Sequence, residues 1–276
     1  MIVVTGASGF LGGHVALALA ARGRPFRALI RAGEPPPGLA SGVVRRLDLE
    51  DETATADLFA ELRPEAVVHC AAEAAVAACA ADPERARRLN VEVPARLASL
   101  CRSLGAHLVF VSTDMVFDGE RAPYTETDPT SPTTVYGTSK RDGELAVLAV
   151  LPSATVARLP LLYGDSATSR ESFQARVAAD LRAGKPVRLF FDEHRTPLEV
   201  RAAARRLVSL AASRAEGVVH LPGPSRSSRM DLGRELCAAI GADPELLVPV
   251  SRTCVPGEPR PRDLSLATVR DAPRDA

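Results

Sequence analysis

Residues 1–14 read MIVVTGASGFLGGH, and this stretch decides the fold. A short apolar run ends in Gly6, and apolar residues at helical spacing then continue to Gly23. Gly6, Gly9 and Gly12 keep a spacing that allows a tight turn and a close approach of the backbone to a diphosphate. A glycine triplet alone is weak, but a strand before it and a helix after it are typical of a dinucleotide-binding loop. A glycine-rich turn without a ligand is the less favoured interpretation.

Strands and helices alternate along the first 160 residues. The predicted strands are short apolar runs that read MIVVT, PFRALIR, VVRRLDL, AVVHCAA, AHLVFVST and SATVARL. A helix is predicted from Asp82 to Gly105, with Pro94 kinking or splitting it. Strands spaced by helices predict an α/β fold, a Rossmann-type doubly wound parallel sheet.

The pattern weakens after residue 160. Helices are predicted in ESFQARVAADLRAGK, VRAAARRLVSLAAS and RMDLGRELCAAIG, with strands in PVRLF and EGVVHLPG. We therefore expect residues 1–160 to form an NAD(P)-binding domain. Residues 161–276 should form a smaller α+β lobe that binds the substrate, with some strands returning to the main sheet.

The composition excludes several classes of protein. Lys+Arg and Asp+Glu both number 34 in 276 residues, and a net charge of zero argues against nucleic-acid binding. No apolar run approaches the roughly 18 residues of a membrane span. Core structure begins at residue 2, so no secretory signal is expected and a cytoplasmic location is predicted. The five cysteines and five histidines lack metal-ligand spacing, which predicts no metal site and buried free thiols.

A cofactor contact is predicted for the loop residues Gly6, Ser8, Gly9, Phe10, Leu11 and Gly12. The second strand ends in Arg31 with no acidic residue nearby, which favours NADP over NAD because an arginine can bind the 2′-phosphate. A solvated arginine, and hence NAD, is left open. Asp48 and Leu49, at the end of the third strand, could hold the adenine; alternatively Asp48 is a surface residue before a helix capped by Asp51.

Tyr136 and Lys140 stand four residues apart in VYGTSK and share one helix face. A free tyrosine has a pKa near 10, and a neighbouring ammonium favours its phenolate. The same lysine could bind a ribose hydroxyl. Thr113 leaves the fifth strand at its carboxyl end, where open α/β sheets bind ligands. The alternative is an ordinary helix start with a solvated lysine.

The glycine loop, the strand-end Ser-Thr and the YxxxK pair, in this order, resemble the extended short-chain dehydrogenases/reductases. Residues 112–144, STDMVFDGERAPYTETDPTSPTTVYGTSKRDGE, resemble the dTDP-4-dehydrorhamnose reductase branch. The resemblance is strong from 1 to 164 and continues in DEHRTP at 192–197 and RPRDLSL at 260–266.

This resemblance implies hydride transfer between a nicotinamide and the C4 carbonyl of a nucleotide-linked sugar. It implies Tyr136 as proton donor, Lys140 as its pKa tuner and ribose ligand, and Thr113 as carbonyl binder. It adds the cofactor contacts Cys70, Ala71, Ala72 and Asn90. The alternatives are ordinary packing for Cys70 and a polar helix face for Asn90. The substrate contacts that it implies are Thr113, Met115, Phe117, Leu161 and Arg195.

Two departures bear on the substrate. Leu161 stands where the family often has a tryptophan of the sugar pocket, and Arg201 stands where it usually has an acidic residue. The expected function is NADPH-dependent reduction of a nucleotide-linked 4-keto-6-deoxy sugar. Alternatives are a non-catalytic NADP-binding regulator, as in the regulatory subunit of methionine adenosyltransferase, and an epimerase or dehydratase. A dehydratase is less favoured because Met115, not an acid, follows Asp114. A homodimer is left open.

Overall fold

In the computed structural model, residues 1–169 and 171–270 are described, and they contain a seven-stranded sheet whose neighbouring strands are all parallel. From one edge to the other the strands are β11 (Gly217–His220), β6 (Thr155–Leu159), β5 (His107–Thr113), β4 (Ala66–His69), β1 (Ile2–Thr5), β2 (Phe26–Ile30) and β3 (Val44–Arg46). The order reverses between β1 and β4, where doubly wound sheets bind ligands. The predicted Rossmann-type sheet is confirmed.

Helices cover both faces of this sheet. One face carries α1 (Phe10–Ala21) and α8 (Val200–Ser213), and the other carries α2 (Glu52–Leu62), α5 (Val93–Leu104) and α6 (Val135–Val150). Successive strand residues point to opposite faces, so Val4 packs in the first core and Val3 in the second. Because both faces are buried, the strands are continuous apolar runs and show no polar alternation.

The helix predicted between Asp82 and Gly105 is divided in the structure. Its segments are α4 (Pro83–Arg87), a π-helical turn (Arg88–Glu92) and α5, and they follow a short helix that the sequence reading missed, α3 (Val76–Ala81). Asp82 caps α4, and Gly105 ends α5 with a φ of 66°. Pro94 has no N–H to donate to the Asn90 carbonyl, so the regular hydrogen-bond ladder is interrupted there.

The smaller lobe has its own apolar core, built around a pair of parallel strands. Its elements are α7 (Phe173–Arg182), β8 (Val187–Phe190), α9 (Arg229–Ile240) and β13 (Leu247–Val250). The strand β13 was not predicted from the sequence. It contains Pro249, and a proline cannot donate a hydrogen bond to a neighbouring strand, so its presence argues against a strand. Two short pairs form separate two-stranded sheets: β7 (Leu162–Tyr163) with β10 (Leu198–Glu199), and β9 (His194–Arg195) with β12 (Ser227–Ser228).

The chain passes between the two cores more than once after residue 160. Helix α8 packs on the main sheet and β11 extends its edge, whereas α7 and α9 belong to the smaller lobe. The division at residue 160 stays a prediction, and residues 271–276 of the predicted lobe lie outside the described residues.

The cysteines are all free thiols, and four are buried or partly buried. Cys254 is exposed, which corrects the expectation that every thiol is buried, because its segment lies at the surface of the smaller lobe. Within 1–169 and 171–270, His, Cys, Asp and Glu form no group of three or more suited to a metal ion. No helix in these ranges has both the length and the apolar character needed to cross a membrane.

We predict that Gly143→Ala destabilises the fold. A Cβ at residue 143 would lie 2.2 Å from the Asn90 carbonyl oxygen, so α6 must move away from the π-helical turn. Overpacking of this kind costs about 1–3 kcal/mol, and thermal unfolding should show a lower midpoint. The control is Gly42→Ala, since a Cβ there meets nothing within 4 Å. Equal melting of both variants would contradict the prediction.

Candidate active site

A cleft of about 490 Å³ opens at the carboxyl ends of β1, β2, β4 and β5. Most residues predicted from the sequence to bind cofactor or substrate carbonyl line it. They are Gly6, Ser8, Gly9, Phe10, Leu11, Gly12, Arg31, Asp48, Leu49, Cys70, Ala71, Ala72, Thr113, Tyr136 and Lys140. The structure thus brings together residues as far apart in the sequence as Gly6 and Lys140.

The glycine loop has no room for side chains at two of its glycines. Gly6 has a φ of +69°, and a Cβ there would lie 2.7 Å from the Ala71 nitrogen. A Cβ on Gly12 would lie 2.2 Å from the Gly6 oxygen. Gly9 precedes the first turn of α1 and provides no side-chain cap, so the first amides of the helix remain free for a ligand in the cleft. This backbone cradle fits the diphosphate of a dinucleotide.

Arg31 lines the cleft, and it shares a carboxylate partner with Arg88, which does not. Glu50 lies 3.9 Å from Arg31 Nη1 and 3.3 Å from Arg88 Nε. The Asp48 carboxylate accepts a hydrogen bond from the Glu50 amide at 3.0 Å, and Asp51 caps α2. Asp48 therefore closes a turn, and its contact with adenine stays a prediction.

Asn90 does not line the cleft and has a supporting place instead. It is 1% exposed, its Oδ1 accepts from the Glu73 amide at 2.9 Å, and its Nδ2 donates to the Glu73 carbonyl and to Ser139 Oγ, both at 2.9 Å. Asn90 therefore fixes the loop after β4 to helix α6. Glu73 and Arg85, which the sequence reading missed, line the cleft and lie 3.5 Å apart as an ion pair.

Helix α6 starts under strong local constraint. Thr134 accepts a hydrogen bond from the Gly137 amide at 3.0 Å, and Glu258 accepts one from the Val135 amide at 2.7 Å. A Cβ on Gly137 would lie 2.1 Å from the Met115 carbonyl oxygen. The first turn of α6 is therefore packed directly against the chain that leaves β5, which sets Tyr136 beside Thr113.

The Thr113 hydroxyl lies close enough to the Tyr136 phenol to affect its pKa. Thr113 Oγ1 also lies 3.2 Å from Asp114 Oδ1 and 3.2 Å from the Met115 amide. Burial raises the pKa of Tyr136 above its ordinary value, and the neighbouring Thr113 hydroxyl lowers it in part. We expected Lys140 to lower the pKa of Tyr136, but in this structure the pKa of Tyr136 is raised.

Lys140 occupies the same helix face, as predicted, but it is not solvated. It is 2% exposed, and its Nζ lies 4.0 Å above the centre of the Phe110 ring. Burial lowers the pKa of Lys140 to about 7, and the nearby Glu144 charge opposes this shift. The alternative of an ordinary surface lysine is excluded by this burial.

Phe117 corrects one predicted substrate contact. Its side chain is fully buried and stacks on Tyr124 at 4.2 Å between ring centres, in a small core with Leu264 and Leu266. Phe117 therefore stabilises this small core and does not line the cleft. Met115 packs against this core and is partly buried.

Arg195 and Leu161 also lie outside the cleft lining. Arg195 is nearly buried and pairs with Asp114 at 2.6 Å and with Glu193 at 3.1 Å. Its charge is neutralised by these carboxylates, so it orders the chain next to Thr113. Leu161 is partly buried, and its carbonyl accepts from the Leu198 amide at 3.0 Å. Substrate contacts by Leu161 and Arg195 stay predictions.

Comparisons with known proteins identify the family. The family model described as RmlD substrate binding domain matches residues 1–271. A dTDP-4-dehydrorhamnose reductase of Streptomyces griseus is 36% identical over 90% of this chain and 79% of its own. The methionine adenosyltransferase 2 subunit beta of Rattus norvegicus is 31% identical over 80% of this chain and 68% of its own.

A solved structure shares nearly the whole fold. The crystal structure of a dTDP-4-dehydrorhamnose reductase from Clostridium acetobutylicum aligns with a TM-score of 0.84 at 27% identity, covering 96% of this chain and 89% of that one. The family predicted from residues 112–144 is confirmed by these matches. The chain belongs to the RmlD substrate binding domain family, in the sugar-nucleotide reductase branch of the extended short-chain dehydrogenases/reductases.

Proposed function

We propose that this protein is an NADPH-dependent reductase of a nucleotide-linked 4-keto-6-deoxy sugar. The observation that carries the proposal is the meeting of Thr113, Tyr136 and Lys140 in the cleft that begins at the glycine loop. The similarity to a protein named dTDP-4-dehydrorhamnose reductase supports the same reaction class.

The chain's own groups can perform the proton half of such a reduction. A bound NADPH would supply the hydride to the carbonyl carbon. The Thr113 hydroxyl would hold the carbonyl oxygen beside Tyr136, whose phenol would donate its proton to that oxygen. Lys140, buried below them, would bind the ribose hydroxyls and stabilise the phenolate that remains.

The free amides at the start of α1 and the Gly6 and Gly12 backbone would hold the diphosphate. Arg31 at the adenosine end favours NADPH, because a guanidinium pairs with a 2′-phosphate. Glu50 must then give up its contact with Arg31, and at 3.9 Å between partly exposed groups that contact is weak.

A non-catalytic regulator is the second candidate, favoured by the relative named methionine adenosyltransferase 2 subunit beta. The intact Thr113, Tyr136 and Lys140 set supports the reductase over the regulator. A dehydratase is less well supported, because Asp114 is 1% exposed and paired with Arg195 and so is not free to act as an acid.

The function is tested with a panel of nucleotide-linked 4-keto-6-deoxy sugars and NADPH. Loss of absorbance at the nicotinamide band with at least one sugar is expected. NADPH binding without turnover of any sugar would support the regulator.

We predict that Tyr136→Phe lowers the turnover number by about 10²–10⁴-fold, the usual loss for a general acid. NADPH affinity should remain, since the ring and its packing are retained. The matched control is Tyr163→Phe, whose hydroxyl lies outside the cleft. Turnover of Tyr136→Phe at the wild-type rate would show that the proton comes from another group.

We predict that Arg31→Glu weakens NADPH binding by at least about tenfold, because a charge-assisted hydrogen bond is lost and a repulsion is added. NADH binding should change little, and fluorescence titration with both cofactors measures the difference. Arg24→Glu is the control, since Arg24 is an exposed partner of Glu65 away from the cleft. Equal wild-type affinity for NADH and NADPH would make Arg31 a bystander.

A further inference from the structure

Three side chains of α6 descend from the cleft into the protein at four-residue spacing: Tyr136, Lys140 and Glu144. This spacing places them on one face of the helix. Lys140 and Glu144 are 2% and 3% exposed, so a cation and an anion lie buried one turn apart below the tyrosine. The reaction proposed above uses the first two and gives Glu144 no role.

Glu144 is held by two neighbouring strands. Arg158 on β6 donates from Nε to both carboxylate oxygens, at 3.0 and 3.2 Å, and from Nη2 to Oε2 at 2.7 Å. Ser112 on β5, next to Thr113, donates its hydroxyl to Oε1. A buried carboxylate with these donors is fixed in position.

The far side of Arg158 is also occupied. Its Nη1 lies 3.4 Å from His220 Nε2, and its guanidinium lies 5.1 Å from the centre of the Phe117 ring. His220 Nδ1 lies 2.9 Å from the Ala267 carbonyl oxygen. Burial and the Arg158 charge lower the pKa of His220, so a neutral imidazole donating from Nδ1 and accepting at Nε2 satisfies every contact. The network therefore holds one anion and one cation.

Lys140 is a cation with little support besides Glu144. The face of the Phe110 ring stabilises the ammonium, and burial disfavours it, which lowers the pKa of Lys140 to about 7. Glu144 acts in the opposite direction and favours the charged form.

The other titratable groups that face Lys140 are neutral near pH 7. Burial raises the pKa of Cys70 at the end of β4 to about 12 and that of Cys79 on α3 to about 11. Burial lowers the pKa of His69 to about 3, and it raises the pKa of Tyr136. Of the groups in the described chain that are named here as facing Lys140, Glu144 is the one that supplies a negative charge.

We propose that Glu144, fixed by Arg158 and Ser112, is a positioning residue that keeps the buried Lys140 ammonium charged below the cleft. The inference rests on the proposed function only in that Lys140 binds the cofactor in its charged form. Tyr136 and the nicotinamide ribose then depend on a carboxylate that touches neither of them.

The sign of each substitution follows from the charges. Glu144→Gln removes the anion and leaves the Arg158 cation, so Lys140 loses its proton at lower pH. Arg158→Gln leaves the anion without its counter-charge, so Lys140 keeps its proton to higher pH. Glu144→Asp retains the charge and should stay close to wild type in pH dependence, even where affinity falls.

The experiment measures the NADPH dissociation constant by fluorescence between about pH 6 and pH 9, across the range in which Lys140 titrates. We expect the pH above which binding weakens to fall by about one unit in Glu144→Gln and to rise in Arg158→Gln. Asp142→Asn is the matched control, because it removes a partly exposed carboxylate from the same helix.

Circular dichroism and thermal unfolding show which variants fold. If Glu144→Gln does not fold, the double variant Glu144→Gln/Arg158→Gln, which removes the Arg158 cation that would otherwise lose its carboxylate partner, should still show the downward shift. The proposal would be overturned if Glu144→Gln lost NADPH affinity equally at every pH and its binding weakened above the same pH as in Asp142→Asn. Glu144 would then have a structural role only. If NADPH binding shows the expected shifts but no keto sugar is reduced, the proposed function is wrong and the proposal about Glu144 still holds.

Discussion

Backbone-to-backbone packing of helix α6 is the constraint on which the site depends. Gly137 lies against the Met115 carbonyl and Gly143 against the Asn90 carbonyl, with no space for a Cβ at either place. These contacts bring the helix close enough for Tyr136 to reach Thr113 and for Lys140 to lie over Phe110. A helix held farther out by side chains could present the same residues without uniting them.

Buried charge is the second organising feature, and it occurs in two places around Thr113. Ser112 donates to the Glu144–Arg158 pair, and Asp114, on the other side of Thr113, pairs with Arg195. Buried ion pairs add little net stability, because desolvation offsets most of the attraction. They do fix geometry, because each partner is unfavourable anywhere else. The strand end that carries Thr113 is therefore held by two such pairs, one on each side.

The sequence predicted the parts of the site that come from local backbone rules. The glycine loop was recognisable because a diphosphate needs glycines at a strand-to-helix turn, and the pair of Tyr136 and Lys140 because four residues make one helix turn. The directions of the Asn90 and Phe117 side chains were not predictable, since a motif gives the presence of a residue and not its direction. Asn90 turns away from the cleft to hold Glu73, and Phe117 points into a core formed with Leu264 and Leu266.

The sequence by itself determined the alternation of strands and helices over the first 160 residues and the parallel sheet, because apolar periodicity and turn residues act over short distances along the chain. The family followed from the resemblance of its motifs. Only the tertiary structure decided the electrostatics. The protonation of Lys140 depends on its burial and on Glu144, whose carboxylate is paired with Arg158 from a neighbouring strand. The pKa of a buried group depends on desolvation and on its distance from charged residues that are far apart in the sequence. A local sequence pattern contains neither the burial nor the distance.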